Sequence, residues 1–135
     1  MFKLDCFGPC ARFHHVGIAV PSIEKACSVT EKTRDPIQKV SVAFLSLNGL
    51  CVELIEPEGD NSPVNLSLKK DVKLLHLCYS VRNLEEALAE CENRGFHRIS
   101  HPVPAAAFDN RRIVWVYSNT YGLFELLEDP QELEN

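Results

Sequence analysis

The feature that most constrains this fold is a segment that occurs twice. The sequence HVGIAVPSIEKA at residues 15–26 recurs as HLCYSVRNLEEA at residues 76–87, 61 residues later. Each copy closes on a similar apolar segment, GLCVELIEP at 49–57 and GLFELLEDP at 122–130. A chain of 135 residues is long enough for one hydrophobic core but not for two independent ones. We therefore predict a single domain, residues 1–135, in which repeat one (about 13–58) and repeat two (about 74–130) share a core.

Composition narrows the classes of partner and the cellular location. The chain has 14 basic and 19 acidic residues, and its basic side chains form no cluster beyond the pairs Lys69-Lys70 and Arg111-Arg112. Nucleic acid and anionic membranes are therefore not expected partners. The N-terminal residues lack the long apolar stretch of a signal peptide, and no later stretch resembles a membrane span. We expect a cytoplasmic protein whose cysteines stay reduced.

Hydrophobic patterning predicts the same order of elements in both repeats. Alternation and turn residues predict strands at 13–20, 40–47, 50–55, 74–81, 96–99, 113–118 and 123–127. Short helices are predicted after Ser22 and after Ser62-Pro63, and a longer one after Asn83. Asn48-Gly49 is typical of a tight hairpin turn. We expect a loop over residues 100–110 and coil beyond Pro130. Each repeat therefore reads β-α-β-β-β, an α+β pattern, with the second strand compressed in repeat one.

One histidine and one glutamate fall at matching places in the two repeats, His15 with Glu53 and His76 with Glu125. On a strand His15 shares its face with the small residues Gly17 and Ala19, which leaves space beside the imidazole. A glutamate inside an apolar strand is costly to bury unless it is paired or binds a metal. Two imidazoles and two carboxylates neutralise a divalent cation and leave positions open for water and substrate. We predict that these four residues bind a divalent metal, with Zn, Ni, Co, Mn or Fe as candidates.

Other readings of these residues remain open at this stage. Both histidines could be core residues and both glutamates could reach solvent at strand edges. Glu56 and Glu128 also repeat, and their positions at strand ends predict solvated side chains. No Ser/His/Asp arrangement, phosphate-binding glycine loop or nucleotide fingerprint is evident in the sequence.

The motifs HVGIAVP from His15, VELIEP around Glu53, HLCYSV from His76 and FELLE around Glu125 resemble the vicinal oxygen chelate superfamily. That superfamily includes glyoxalase I, methylmalonyl-CoA epimerase, extradiol dioxygenases and antibiotic-resistance binding proteins. The resemblance spans about residues 13–128 and looks closest to the epimerases, while the complete His/Glu/His/Glu set also matches bacterial glyoxalase I. It implies paired βαβββ modules that form an incomplete, U-shaped β-barrel around a metal, and it assigns His15, Glu53, His76 and Glu125 as the ligands.

The resemblance also implies a reaction. In the epimerases and glyoxalases a carboxylate removes a proton next to a carbonyl while a metal stabilises the enolate or enediolate. Glu125 would be ligand and catalytic base, and the substrate would be an acyl-CoA or a glutathione-type thiol adduct, turned over by an isomerase or lyase. Two departures stand out: Val42 occupies the place of a separate glutamate base in the epimerases, and repeat one is shortened around Cys27–Arg34.

Two further functions are compatible with the same motifs. The first is a non-catalytic binding protein that sequesters a small molecule, as antibiotic-resistance members do. The second is an Fe(II) extradiol-type dioxygenase using His15, His76 and Glu125, although Glu53 would then be an additional ligand. Family members assemble the cleft within one chain or across a homodimer, and the sequence is compatible with both.

Overall fold

The computed structural model describes residues 1–28 and 31–130 of the chain. The strands are β1 (Arg12–Ala19), β2 (Thr33–Asp35), β3 (Val40–Leu47), β4 (Leu50–Pro57), β5 (Leu74–Val81), β6 (Phe96–Arg98), β7 (Val103–Pro104), β8 (Arg112–Ser118) and β9 (Gly122–Glu128). The α-helices are α1 (Ile23–Ala26), α2 (Val64–Lys69) and α3 (Leu84–Glu92), and Ala106–Phe108 forms a 3₁₀ turn. None of the helices in the described ranges is long and apolar enough to cross a membrane.

The chain divides into two compact units. The first holds residues 1–14, 77–104 and the segment from Arg111 onward, and the second holds residues 15–76 together with Ala105–Asn110. The units nearly coincide with the two repeats, but residues 74–76 and 105–110 of repeat two lie in the unit of repeat one, and residues 13–14 lie in the unit of repeat two. The predicted β-α-β-β-β order is present in repeat one, and repeat two has the same order with the two-residue strand β7 added, so the α+β assignment is confirmed. The predicted single domain remains a prediction.

In the second unit the strands lie in the order β2-β3-β4-β1. Strand β1 pairs with β4 in parallel, with Gly17 opposite Glu53, and β3 pairs with β4 through the hairpin turn at Asn48-Gly49. Both turn residues have positive φ, as a two-residue hairpin of this type requires. Two clusters of buried aliphatic side chains form the core of this unit, one around Val40 and Ile55 and one around Ile23 and Val52.

In the first unit the order is β5-β9-β8-β6, and β7 pairs with β8. Strand β5 pairs with β9 in parallel, with Cys78 opposite Glu125. Helix α3 buries Leu84, Ala87, Leu88 and Cys91, the predicted amphipathic stripe, against apolar residues of β8 and β9. The same core includes Phe7, whose ring centroid lies 5.1–5.4 Å from the ring centroids of Tyr79, Phe96 and Phe124.

Most predicted elements are confirmed, and one region differs from expectation. Residues 100–110 contain β7 and the 3₁₀ turn where we expected an unbroken loop, because Val103 and Pro104 pair with β8. The compressed second strand predicted for repeat one is the three-residue strand β2 at residues 33–35. The predicted shortening of repeat one is visible in α1, which has four residues, whereas α3 has nine. Val29 and Thr30 lie outside the described residues, as does the coil expected beyond Pro130.

The prediction that Glu56 and Glu128 are solvated is wrong. The Glu56 carboxylate accepts a hydrogen bond from the Ile23 backbone N–H at 3.0 Å, and Glu128 accepts one from the Leu84 N–H at 3.0 Å. Ile23 and Leu84 are the first residues of α1 and α3, whose initial N–H groups have no partner within the helix. Each repeat therefore uses the carboxylate at the end of its last strand to cap its own helix, in addition to the side-chain caps from Ser22 and Asn83.

Glu128 makes the protein's stability depend on pH. Hydrogen bonds from the Arg112 guanidinium hold the pKa of the Glu128 carboxyl below its ordinary value of 4.5. A lowered folded-state pKa contributes stability above the unfolded pKa, and that contribution is lost as pH falls through the folded pKa. We expect Glu128→Gln to lower the free energy of unfolding by about 1–2 kcal/mol at neutral pH.

Urea unfolding of both proteins at pH 7 and at acidic pH measures this effect. The difference between wild type and Glu128→Gln should shrink as the pH falls below the ordinary carboxyl pKa. Glu90→Gln, which changes an exposed carboxylate of α3, is the matched control and should unfold like wild type at both pH values. A pH-independent cost at position 128 would contradict the assigned role of the charge.

Candidate metal centre

Three of the four predicted ligands converge in the second unit. The His15 Nε2 atom lies 3.3 Å from His76 Nε2 and 3.4 Å from Glu53 Oε1, and His76 Nε2 lies 3.7 Å from the same carboxylate oxygen. All three side chains are buried, with residue exposures of 0% for His15, 4% for His76 and 5% for Glu53. The alternative of two unrelated core histidines and a solvent-exposed glutamate does not describe this arrangement.

The spacing of these donor atoms suits a divalent metal. Metal bonds from histidine nitrogen and carboxylate oxygen are about 2.0–2.2 Å long, so two ligands at a tetrahedral angle lie about 3.4 Å apart. The three observed separations, 3.3–3.7 Å, bracket that value. Imidazole nitrogen and carboxylate oxygen are also the ligands preferred by Zn, Ni, Co, Mn and Fe. The donor set therefore fits a metal of the predicted class.

The pairing of β1 with β4 places two of these ligands. Glu53 lies opposite Gly17 in the parallel register, and His15 precedes Gly17 by two residues on the same face of its strand. The neighbours of Glu53 on β4, Val52 and Leu54, are both buried on the other face. Alternation along the strand thus directs the aliphatic side chains into the core and the carboxylate toward the histidines.

Gly17 creates the space that His76 occupies. A β-carbon at position 17 would overlap the His76 imidazole and would lie 2.7 Å from its Nε2 atom. Real β-carbons essentially never approach another heavy atom so closely, and here the neighbour is a buried ring with little freedom to shift. The small residue noted beside His15 in the sequence is therefore required for the second histidine to reach the first.

Sequence reasoning missed two aromatic neighbours of the ligands. The centroid of the Phe44 ring lies 5.4 Å from that of the His15 ring, with the two rings edge-on. The centroid of the Phe108 ring lies 5.9 Å from that of the His15 ring, with the two rings nearly parallel. Phe44 lies opposite Glu53 on β3, so the hairpin register identifies it once Glu53 is chosen. Nothing in the sequence identifies Phe108, which comes from the other repeat.

The fourth predicted ligand, Glu125, lies on β9 in the first unit and is 3% exposed. Its backbone register repeats that of Glu53. Glu53 lies opposite the residue two positions after His15, and Glu125 lies opposite Cys78, two positions after His76. Its role as a ligand and base remains a prediction.

Val42 occupies the position where the sequence resemblance calls for a second base. Its side chain is 6% exposed and packs with Val40, Ile55 and Val64 in an apolar cluster. Val42 lies opposite Ile55 and shares a strand face with Phe44. The face of β3 that carries Phe44 also carries Val40, Val42 and Ser46, so this strand presents no carboxylate on that face.

A family comparison agrees with this geometry. Residues 14–115 match the sequence model of the Glyoxalase/Bleomycin resistance protein/Dioxygenase superfamily. The chain belongs to this superfamily. Members are varied in activity, as the superfamily name itself states, so membership leaves the reaction of this glyoxalase-superfamily chain to be argued from its residues.

Two curated relatives are informative. The human protein named methylmalonyl-CoA epimerase, mitochondrial, is 32% identical over 107 residues, which cover 71% of this chain and 61% of the human protein. The match thus spans less than two thirds of the human protein's length. The uncharacterized protein YqjC of Bacillus subtilis is 37% identical over 131 residues, covering 89% of this chain and 93% of that protein.

A solved structure supports the fold. The hypothetical protein BH1468 from Bacillus halodurans C-125 superposes with a TM-score of 0.75 at 26% identity, covering 88% of this chain and 94% of that one. The predicted glyoxalase-like fold class is therefore confirmed.

Substitution of Gly17 tests whether the His76 imidazole occupies the space beside residue 17. Gly17→Ala should lower the free energy of unfolding by about 1–3 kcal/mol, because the added methyl group overlaps the His76 ring. The cost should largely disappear when the same change is made in a His76→Ala background, which removes the ring. Urea unfolding of the wild type, both single variants and the double variant measures the coupling. Additive costs would show that the overlap with His76 is not the cause.

Proposed function

We propose that this protein is a divalent-metal-dependent isomerase that removes a proton next to the carbonyl of an acyl-CoA, in the manner of a methylmalonyl-CoA epimerase. The observation that carries the proposal is the convergence of the His15, His76 and Glu53 donor atoms within 3.3–3.7 Å of one another in a buried position. The choice of an acyl-CoA substrate is supported by the name of the human relative, a methylmalonyl-CoA epimerase.

In this proposal His15, Glu53 and His76 hold the metal and Glu125 is the fourth ligand. Support for Glu125 comes from its register on β9, which repeats that of Glu53 on β4, and from its burial. A divalent cation bound by these residues would supply the positive charge that stabilises negative charge developing on a substrate carbonyl oxygen. Zn, Ni, Co, Mn and Fe all accept this donor set.

Glu125 is also the proposed base. Its carboxylate lies on a strand between Phe124 and Leu126, and Leu126 is fully buried. Both of these neighbours point to the other face of β9, so the buried carboxylate is available to act as a general base toward a bound substrate. The proton next to the carbonyl is transferred to a Glu125 carboxylate oxygen, and epimerisation is completed when a donor other than Glu125 protonates the same carbon from the opposite face.

Val42 supports a second candidate, a glyoxalase-type isomerase or lyase acting on a glutathione-type thiol adduct. Epimerisation requires proton return to the opposite face of the carbon, whereas moving a proton between neighbouring carbons needs one base only. The β3 face that carries Val42 and Phe44 has no carboxylate among its described residues. One base at Glu125 is sufficient for the second reaction.

Proton exchange tests the proposed chemistry. Metal-loaded protein in D₂O should exchange the α-hydrogen of methylmalonyl-CoA for deuterium, and Glu125→Gln should lower the exchange rate at least about 100-fold, the scale of general base catalysis. Mass spectrometry of the recovered thioester measures the exchange. Glu90→Gln, at an exposed carboxylate of α3, is the control and should exchange like wild type. Undiminished exchange by Glu125→Gln would refute the assignment of the base.

The substrate classes and the remaining alternatives separate in the same assay. Turnover of the hemithioacetal of glutathione and methylglyoxal, with no exchange in methylmalonyl-CoA, would favour the glyoxalase-type reaction. Oxygen uptake that requires Fe²⁺ would favour the dioxygenase. Protein that binds a small aromatic compound without metal would favour the non-catalytic binding protein. The cytoplasmic location and the homodimer remain predictions.

A further inference from the structure

The His15 imidazole is held between aromatic rings as well as facing the other ligands. Phe108 lies nearly parallel to it, with an interplanar angle of 27°, and Phe44 meets it edge-on at 81°. Phe108 is 5% exposed, whereas Phe44 is 38% exposed. Phe108 is therefore the packed neighbour that restricts the plane of the imidazole, and Phe44 is the more accessible one.

The turn that carries Phe108 is short and is not rigid by itself. Its turn is closed by backbone hydrogen bonds from the Phe108 and Asn110 N–H groups to the Ala105 carbonyl, at 3.1 and 3.0 Å. The next residues, Asp109 and Asn110, both have positive φ, at 54° and 62°. A single 3₁₀ turn followed by two left-handed residues is a weak element by itself, so its position depends on contacts with the rest of the unit.

Asp35 supplies such a contact from repeat one. One carboxylate oxygen accepts the Ile37 and Gln38 N–H groups at 3.1 and 3.0 Å, and the other accepts the Ala106 N–H at 3.3 Å. Asp35 is 5% exposed, so its charge is stabilised by these three donors in place of water. Asp35 thus joins the end of β2 to the first residue of the turn that carries Phe108.

We propose that Asp35 and Phe108 are positioning residues for the metal ligand His15: Asp35 fixes the 105–110 turn, and the turn presses the Phe108 ring against the imidazole. This inference rests on the proposed metal site. Residues that orient a metal-bound histidine typically change metal affinity about 10–100-fold when they are replaced. Asp35 acts through Phe108, because its carboxylate accepts hydrogen bonds from the backbone N–H groups of residues 37, 38 and 106, the last of which begins the turn.

Cobalt affinity tests the proposal with a readout other than activity. Co²⁺ binding is measured by competition with a chromophoric chelator, and the visible spectrum of the bound ion reports ligand geometry. Phe108→Leu, which keeps an apolar side chain but removes the ring, should weaken binding about tenfold or more and change the spectrum. Asp35→Asn should weaken it by a similar factor, because its amide nitrogen cannot accept both sets of N–H donors.

Ala106→Pro isolates the link between the two residues. It removes only the N–H that bonds to Asp35, and the position tolerates proline because Ala105 has φ −112° and ψ 122° and Ala106 begins the turn. It too should weaken Co²⁺ binding. Because Asp35 acts through Phe108, the double variant Asp35→Asn/Phe108→Leu should bind no more weakly than the weaker single variant. Phe96→Leu, a buried aromatic of the first unit, is the control and should bind within about twofold of wild type.

The outcomes separate this inference from the proposed metal site. If wild-type protein binds no Co²⁺, the metal site fails and the inference fails with it. If wild type binds but all three single variants match it, the metal site stands and the positioning role is overturned. Additive losses in the double variant, or an equal loss in Phe96→Leu, would indicate general destabilisation and would also overturn it.

Discussion

The structure depends on keeping one carboxylate, Glu53, buried in the middle of an apolar strand. An ionised carboxylate without partners would cost far more free energy than the whole fold provides. The His15 and His76 imidazoles face this carboxylate, with their Nε2 atoms 3.4 and 3.7 Å from one of its oxygens. The glycine at position 17 and the aromatic packing around His15 follow from the need to bring these groups together.

The duplication repeats both the strand register that places a glutamate and the contact that caps a helix. In both repeats the last strand pairs in parallel with the first, so a glutamate lies opposite the residue two positions after the histidine. Three residues further along, a second glutamate caps the helix that follows the first strand. One strand therefore places a candidate ligand and fixes its own repeat's helix. A change in register would displace both, since a shift of one residue reverses every side chain on the strand.

The face of β3 that carries Val42 and Phe44 bears on the choice between the two proposed reactions. Val42 is buried in an aliphatic cluster, and Phe44 lies opposite Glu53. Because a fold does not by itself fix the reaction, the residues at such positions bear on which chemistry the site carries out. The candidate metal ligands support the proposed class of chemistry. Within that class, the residues on β3 bear on whether the proton returns to the opposite face of the carbon or moves along one face.

The sequence by itself determined the repeat, the strand order within each copy and the identity of the candidate ligands. Alternation on strands and a fixed turn such as Asn48-Gly49 are local signals, so they can be read without the fold. Only the tertiary structure shows that Glu56 and Glu128 cap helices and that Phe108 from repeat two packs on His15, because local sequence patterns do not report contacts between distant residues. These contacts join residues 33 to 93 positions apart, and only the folded chain brings such distant groups into contact.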